Sequence, residues 1–307
     1  MTTLFDRLAL IGVGLLGSSI AHAARRSGAA AHIAGYDTSA EALKGAKKIG
    51  FADSLHTDLA SCVADADLVI LASPVGTYGA LAKQMAPHLK AGAILSDVGS
   101  VKGAVQADVG PHVPKGVHFI PAHPVAGTEQ SGPEAGFAEL FDGRWCLLTP
   151  PEGADAKAIE RLSDFWRALG SQVEVMDARH HDLVLAITSH VPHLIAYNIV
   201  GTADDLEAVT KGEVIKYSAG GFRDFTRIAA SDPTMWRDVF LNNREAVLEV
   251  LGRFSEDLSY LQRAIRSGDG DTLFNLFTRT RAIRRGIIDV GQDSPAPNFG
   301  RTPPPKH

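Results

Sequence analysis

In the first half of the chain, short apolar runs alternate with stretches whose apolar residues recur every three to four positions. Runs of four or five residues are too short for stable helices and read as buried strands, whereas the periodic stretches read as amphipathic helices. Residues 8–11, 32–36, 68–71, 93–96 and 117–120 are the expected strands. A strand at 145–148, a helix at 155–169 and a strand at 172–175 would complete a first domain ending near Asp177. Such alternation predicts a doubly wound, mostly parallel sheet with helices on both faces, an α/β domain of the Rossmann type over residues 1–177. From Ala178 the β-branched runs thin out and long helical patterns take over, so residues 178–292 are expected to be all-α. Val247, Leu251, Phe254, Leu258, Leu261 and Ile265 recur at alternating steps of four and three, which sets them along one seam of a long helix. Packing inside the domain and a dimer interface both explain that seam. Residues 293–307 hold Pro295, Pro297 and Pro303 to Pro305 and are expected to form a disordered tail.

Composition narrows the function. A chain of 307 residues is long enough for two domains with proper cores. With 45% hydrophobic and 21% charged residues it is too apolar for a disordered protein. Thirty Lys and Arg against 35 Asp and Glu give a formal charge of −5, which offers no basic field to nucleic acid or an anionic membrane. Small molecules and copies of the chain itself are the expected partners. Cys62 and Cys146 are too few and too far apart for a disulfide framework or a thiolate zinc site, which fits a reducing cytoplasm. No run approaches the roughly 18 uninterrupted apolar residues of a membrane span, so no membrane association is expected. A signal peptide is the rival reading of the N-terminus, with Arg7 ahead of an apolar segment and a small-residue pattern at Ala21 to Ala23. Against it stand Asp6 and the glycines that interrupt the segment.

Those glycines, Gly12, Gly14 and Gly17, follow the first strand and open a helical stretch, which is the setting a G-x-G-x-x-G dinucleotide motif requires. Gly12 permits the tight turn, Gly14 the approach of a pyrophosphate, and Gly17 close packing of helix on strand. Leu15 and Leu16 lie in the first helical turn, whose free N–H groups and dipole favour anions. Asp37 follows the second strand, 20 residues after Gly17, where a carboxylate binds both ribose hydroxyls and repels a 2′-phosphate. The expected cofactor is therefore NAD rather than NADP, with Thr38 and Ser39 able to relax the preference. Ser73 and Pro74 are counted with the same site.

Five further segments carry a resemblance: residues 97–103 (DVGSVKG), 122–132 (AHPVAGTEQSG), 189–193 (SHVPH), 220–228 (GGFRDFTRI) and 232–236 (DPTMW). Together with the glycine motif, over about residues 7–290, the chain resembles the prephenate, arogenate and cyclohexadienyl dehydrogenases of tyrosine biosynthesis. The resemblance implies a nucleotide domain, a helical dimerisation domain, and an active site between them. It also implies oxidative decarboxylation, in which hydride leaves the ring C4 for NAD, a hydroxyl proton is taken up, and the ring carboxylate departs as carbon dioxide.

His123 matches the family's catalytic histidine, and imidazole is suited to accept a proton near neutral pH. It follows the strand at 117–120, with Pro124 stiffening the turn. Ser100 matches a serine near the substrate hydroxyl, and an N-cap of a helix starting near Val101 explains it equally well. Arg227 matches the arginine that clamps the ring carboxylate, as a permanently charged, paired donor would. Arg223 would share its face if the stretch were helical. His190 and His193 stand on one side of a turn around Pro192. They suggest a metal site with His180, His181 and Asp182, but hydride chemistry requires none and no metal is expected. The family places a histidine here against the substrate side chain, which points to His193 and His190. Thr128 and Trp236 match pocket positions, Trp236 reaching across the dimer. Tyrosine is a possible inhibitor at the same site. The choice between prephenate and arogenate turns on whether a carboxylate faces the side chain, and spacing leaves it open. Two rivals remain: a 3-hydroxyacid dehydrogenase relying on a lysine, for which Lys211 and Lys216 are candidates, and a non-catalytic NAD-sensing module.

Overall fold

The computed structural model describes residues 3–128, 130–210, 213, 217 and 219–289. Lys211, Lys216 and the expected tail at 293–307 lie outside the described residues. The chain divides into two compact units, Met1–Val250 and Leu251–His307.

The first unit is built on a six-stranded sheet: β1 (Phe5–Ile11), β2 (Ala30–Tyr36), β3 (Ser54–His56), β4 (Leu68–Leu71), β5 (Ile94–Asp97) and β6 (His118–Phe119), in the order β3-β2-β1-β4-β5-β6. Every pairing is parallel. Along β1, Leu8 and Leu10 enter one core, with Ile33, Phe165 and Trp166. Ala9 and Ile11 enter the other, with Val69, Tyr78 and Val105. A strand covered on both faces needs apolar residues at every position, which is why these segments show as continuous runs. Helices α1 (Leu15–Ser27), α2 (Ala40–Ile49), α3 (Leu59–Val63), α4 (Tyr78–Met85) and α5 (Gly103–Val109) form the crossovers. The order reverses between β1 and β4, and ligands of such sheets bind beyond the strand ends at that reversal.

Two strands escape the periodicity. β3 is three half-buried residues, and β7 (Ala122–Pro124) lies where the sequence suggests a turn. β7 pairs antiparallel with β8 (Trp145–Leu148), which pairs parallel with β9 (Gln172–Val175), in a separate three-stranded sheet. His123 therefore sits within a strand, opposite Leu147, rather than on a Pro-stiffened turn. Between these last two strands runs α6 (Ala156–Ala168), capped by the Asp155 carboxylate, which accepts from Ala158 N–H at 2.8 Å.

Beyond β9 the described elements are helical: α7 (Ala178–Leu185), a π-helical turn (Ala186–His190), α8 (Val191–Thr210), α9 (Gly220–Thr226), α10 (Pro233–Asn242), α11 (Arg244–Ser267) and α12 (Gly270–Asp289). The widened turn falls just ahead of Pro192, whose missing N–H breaks the α-helical ladder there. His190 and His193 thus lie on one continuous helical run, not on a turn. By length and composition that run, Ala178–Leu206, is long and apolar enough to cross a membrane, a candidate that a search for uninterrupted apolar residues passes over. α10 returns to the sheet, where Trp236 and Val239 join the second core. The seam from Val247 to Ile265 falls on the single helix α11, and Leu258 and Ile265 on it are exposed.

Candidate active site

The glycine turn is forced by contact. Gly12 has φ +107°, and a Cβ there would stand 2.7 Å from the Ala72 and Ser73 backbone. A Cβ on Gly17 would stand 2.1 Å from the Gly12 carbonyl oxygen. Gly14 differs, because a Cβ there would meet nothing within 4 Å. It opens α1, whose first turn, Leu15 to Gly17, has neither a capping side chain nor an acidic residue. Open space above uncapped N–H groups fits a pyrophosphate. The Asp37 carboxylate accepts from Val13 N–H at 3.1 Å and Ser39 N–H at 2.9 Å, tying β2 to the glycine turn and leaving lone pairs for a ribose. Ser73 pairs with Thr77 through their hydroxyls at 2.8 Å, and Pro74 leads into the 3-10 turn Val75–Thr77. Val75 in turn lies against Gly99, where a Cβ would meet its side chain at 2.8 Å. The loops beyond β1, β4 and β5 thus adjoin one another.

Next to them is a connected set of buried polar side chains. His123 Nδ1 lies 2.9 Å from His181 Nε2, and His181 Nδ1 lies 2.8 Å from Asp182 Oδ1. The same carboxylate accepts from Lys102 N–H at 2.7 Å and Gly103 N–H at 2.8 Å, so it caps α5 from another helix. Ser100 is therefore not the cap; α5 starts at Gly103, and the donors that need satisfying go to Asp182. Lys102, fully buried, pairs with Asp97 and donates to the Ala122 carbonyl at 2.8 Å. Asp97 also accepts from Ala122 N–H at 3.1 Å, so the pair grips both sides of the residue preceding His123. Burial pushes the Asp97 carboxyl up and the Lys102 ammonium down.

Asn243 Nδ2 donates to the Asp182 carbonyl at 2.8 Å and to His190 Nδ1 at 3.0 Å. An accepting Nδ1 puts the His190 proton on Nε2, which is buried and faces the Ser100 backbone. Burial lowers the His190 pKa to about 4 against the opposing pull of the Asp182 charge, so the ring stays a neutral donor. His193 donates from Nδ1 to the Ser189 carbonyl at 2.8 Å and stacks on Trp236 with ring centroids 3.7 Å apart. Trp236 is thus buried against histidines of its own chain. Arg227 is close enough for its charge to depress the His193 imidazole, beyond the larger effect of burial. It opens the 3-10 turn Arg227–Ala230 after α9 ends at Thr226, so the single helical face expected for Arg223 and Arg227 does not form. Arg223 is exposed and pairs with Asp224 at 3.5 Å. Thr128 is exposed too, its hydroxyl accepting from Gln130 N–H at 3.1 Å.

His123 is held well below the usual imidazole value by burial above all, then by His181, Lys102 and His190. A neutral imidazole in the same unit as a dinucleotide-type turn can take a proton while a substrate is oxidised. In the sequence His181 and Asp182 stand out only as metal-ligand types, and no local spacing attaches a role to Asp97, Lys102 or Asn243. Among the described residues no three His, Cys, Asp or Glu side chains are placed to hold a metal.

The fold and site together define a Rossmann-type nucleotide-binding protein with a histidine-rich polar centre. The chain matches the prephenate dehydrogenase nucleotide-binding domain over residues 20–175 and the prephenate dehydrogenase dimerization domain over residues 177–279. It belongs to the prephenate dehydrogenase family. It is 42% identical to the cyclohexadienyl dehydrogenase of Zymomonas mobilis over 93% of this chain and 97% of that protein. With the prephenate dehydrogenase of Bacillus subtilis it shares 31% identity over 94% of this chain and 77% of that one. The crystal structure of A. aeolicus prephenate dehydrogenase in complex with hydroxyphenyl propionate and NAD+ superposes with a TM-score of 0.85 at 35% identity, covering 92% of this chain and 98% of that one.

Proposed function

We propose that this protein is an NAD-dependent dehydrogenase of tyrosine biosynthesis that oxidatively decarboxylates prephenate, arogenate or both. The observation that carries the reading is a buried, neutral His123 in the same unit as an uncapped glycine-turn helix, in a chain of this family. NAD, when bound, supplies the hydride acceptor, and Gly12, Gly14, Leu15, Leu16, Gly17, Asp37, Ser73 and Pro74 are the residues to hold it.

His123 takes the hydroxyl proton at Nε2 as the C4–H bond breaks, and the O–H electron pair becomes the carbonyl bond. The bond to the ring carboxylate then releases its electrons into the ring as carbon dioxide leaves. The former carbonyl becomes a phenol oxygen, which regains a proton from His123. Arg227 pairs with the ring carboxylate, where its charge and fork of donors suit a carboxylate. Ser100 and the buried His190 supply donors, and His193, Trp236, Thr128 and Arg223 complete the substrate set. Arg223 and Thr128 are exposed in the single chain. The helical segment from 178 onward is assigned to substrate binding and homodimer formation, with the exposed apolar positions of α11 on that interface. Tyrosine, which shares the product's ring, is assigned as a competitor at this site. The free, buried Cys62 and Cys146 suit a reducing cytoplasm.

Purified protein with NAD and prephenate is expected to release NADH and carbon dioxide in equal amounts. Inertness towards both prephenate and arogenate overturns the reading.

A further inference from the structure

We propose that His181 and Asp182 are positioning residues that hold His123 in one tautomer, with its proton on Nδ1 and its lone pair on Nε2. The inference rests on the catalytic reading of His123 given above. It follows from counting donors along the chain of contacts, beginning at its fixed end.

Asp182 meets two backbone N–H groups, of Lys102 and Gly103, and the His181 ring. Burial opposes its ionisation, but the hydrogen bonds from His181, Lys102 N–H and Gly103 N–H hold the carboxyl below its usual value, so it is an acceptor at both oxygens. Since Oδ1 can only accept, His181 Nδ1 must carry hydrogen. Burial depresses the His181 imidazole, and a neutral ring with hydrogen on Nδ1 has a lone pair on Nε2. That lone pair lies 2.9 Å from His123 Nδ1, which must then be the donor. His123 is itself neutral, so its Nε2 is left as the acceptor. The far end of the relay is anchored in backbone, and an N–H at an α5 terminus cannot reorient. One polarity therefore runs through both rings.

The alternative fails on the same count. Were His181 protonated, its Nε2 would donate to His123 Nδ1, the His123 hydrogen would sit on Nε2, and no base would face a substrate hydroxyl. When His123 gains its proton at Nε2, its Nδ1–H bond to His181 becomes charge-assisted, and the Asp182 carboxylate lies one ring away to favour the cation. Two rings between carboxylate and substrate keep that negative charge from the departing carboxylate while still fixing orientation.

The test has an arm that needs no turnover. In full-length protein labelled with 15N histidine, the spectrum at neutral pH is expected to show His123 with a protonated Nδ1 and a pyridine-type Nε2, its signals assigned by their loss in His123→Asn. A protonated Nε2 on neutral His123 overturns the proposal. In kinetics, His181→Phe is expected to lower kcat about 10- to 100-fold, part of what a positioned base contributes, with KM for substrate and NAD changed less than about twofold. His181→Gln, which returns an acceptor near the Nε2 position, is expected to recover most of that loss. Equal losses in both variants, or a loss carried by KM, overturn the proposal. If His181→Phe does not fold, the wild-type spectrum and His181→Gln decide. If the wild-type protein turns over neither cyclohexadiene, the functional reading falls, while the tautomer result still judges the relay.

Discussion

His123 and His181 are 58 residues apart in the chain, yet they meet Nδ1 to Nε2 at 2.9 Å with their rings inclined at 69°. One comes from a strand of the small sheet, the other from the first helix after it. That contact joins residues from either side of the change in sequence texture at 178 and sets what the variants below should do.

His123→Asn is expected to lower kcat by about 10²- to 10⁴-fold while leaving substrate binding nearly intact, because a general base acts on the transition state and adds little to ground-state affinity. Arg227→Ala should instead weaken binding, by about 10- to 100-fold for the loss of a charge-assisted pair. Steady-state kinetics with direct binding measurements separate the two. Matching behaviour of the two variants would show the roles to be misassigned.

The pH dependence has a definite sign. Burial chiefly, helped by His181, Lys102 and His190, lowers the His123 pKa below 6.5. A lowered imidazole pKa keeps the basic form at more acidic pH, so activity is full at neutrality and is lost only as pH falls through the depressed value. The acidic limb of kcat/KM against pH is therefore expected below 6.5. A limb at or above that point would mean that another group is the base.

Two glycines of one motif should fail differently. Gly17→Ala would drive a methyl to within 2.1 Å of the Gly12 carbonyl oxygen and is expected to lower thermal stability along with NAD binding. Gly14→Ala places its methyl in open space, so it should fold normally and lose NAD affinity alone. Melting curves with cofactor titrations distinguish these outcomes, and normal NAD affinity in Gly14→Ala would remove the pyrophosphate from that position.

Lys102→Met leaves the Asp97 carboxylate buried without its cation. Removing one partner of a buried pair costs about 3–5 kcal/mol, and urea unfolding should register a loss of that order. The Ala122 carbonyl also loses a donor, so kcat should fall even where the protein remains folded. A change in stability under about 1 kcal/mol would indicate that the site exchanges the charge for water readily.

Much of the nucleotide half was legible because its signals are local. Strands buried on both faces show as apolar runs, and a glycine turn between strand and helix has fixed spacing. The start of α6 at Asp155, whose carboxylate accepts from Ala158 N–H, is of the same kind, since a helix start uses residues three apart. β7 was not legible: its three residues contain a proline and become a strand only by pairing with residues more than twenty positions away. Ser100 looked like a cap because serine often is one. The actual cap of α5 arrives from Asp182, 80 residues from Lys102.

By itself the sequence determined which residue types were available: a glycine turn, an acid after the second strand, and histidines and arginines within short segments. Periodicity and turn chemistry act over a few residues and leave a readable trace. Which histidine leans on which was decided only by the tertiary structure, because the protonation state of a ring depends on the donor or acceptor at its far nitrogen. For His123 that neighbour is His181, held by Asp182, held in turn by the backbone of Lys102 and Gly103. No spacing rule records that contact, since it exists only after two sheets and a helix have packed together.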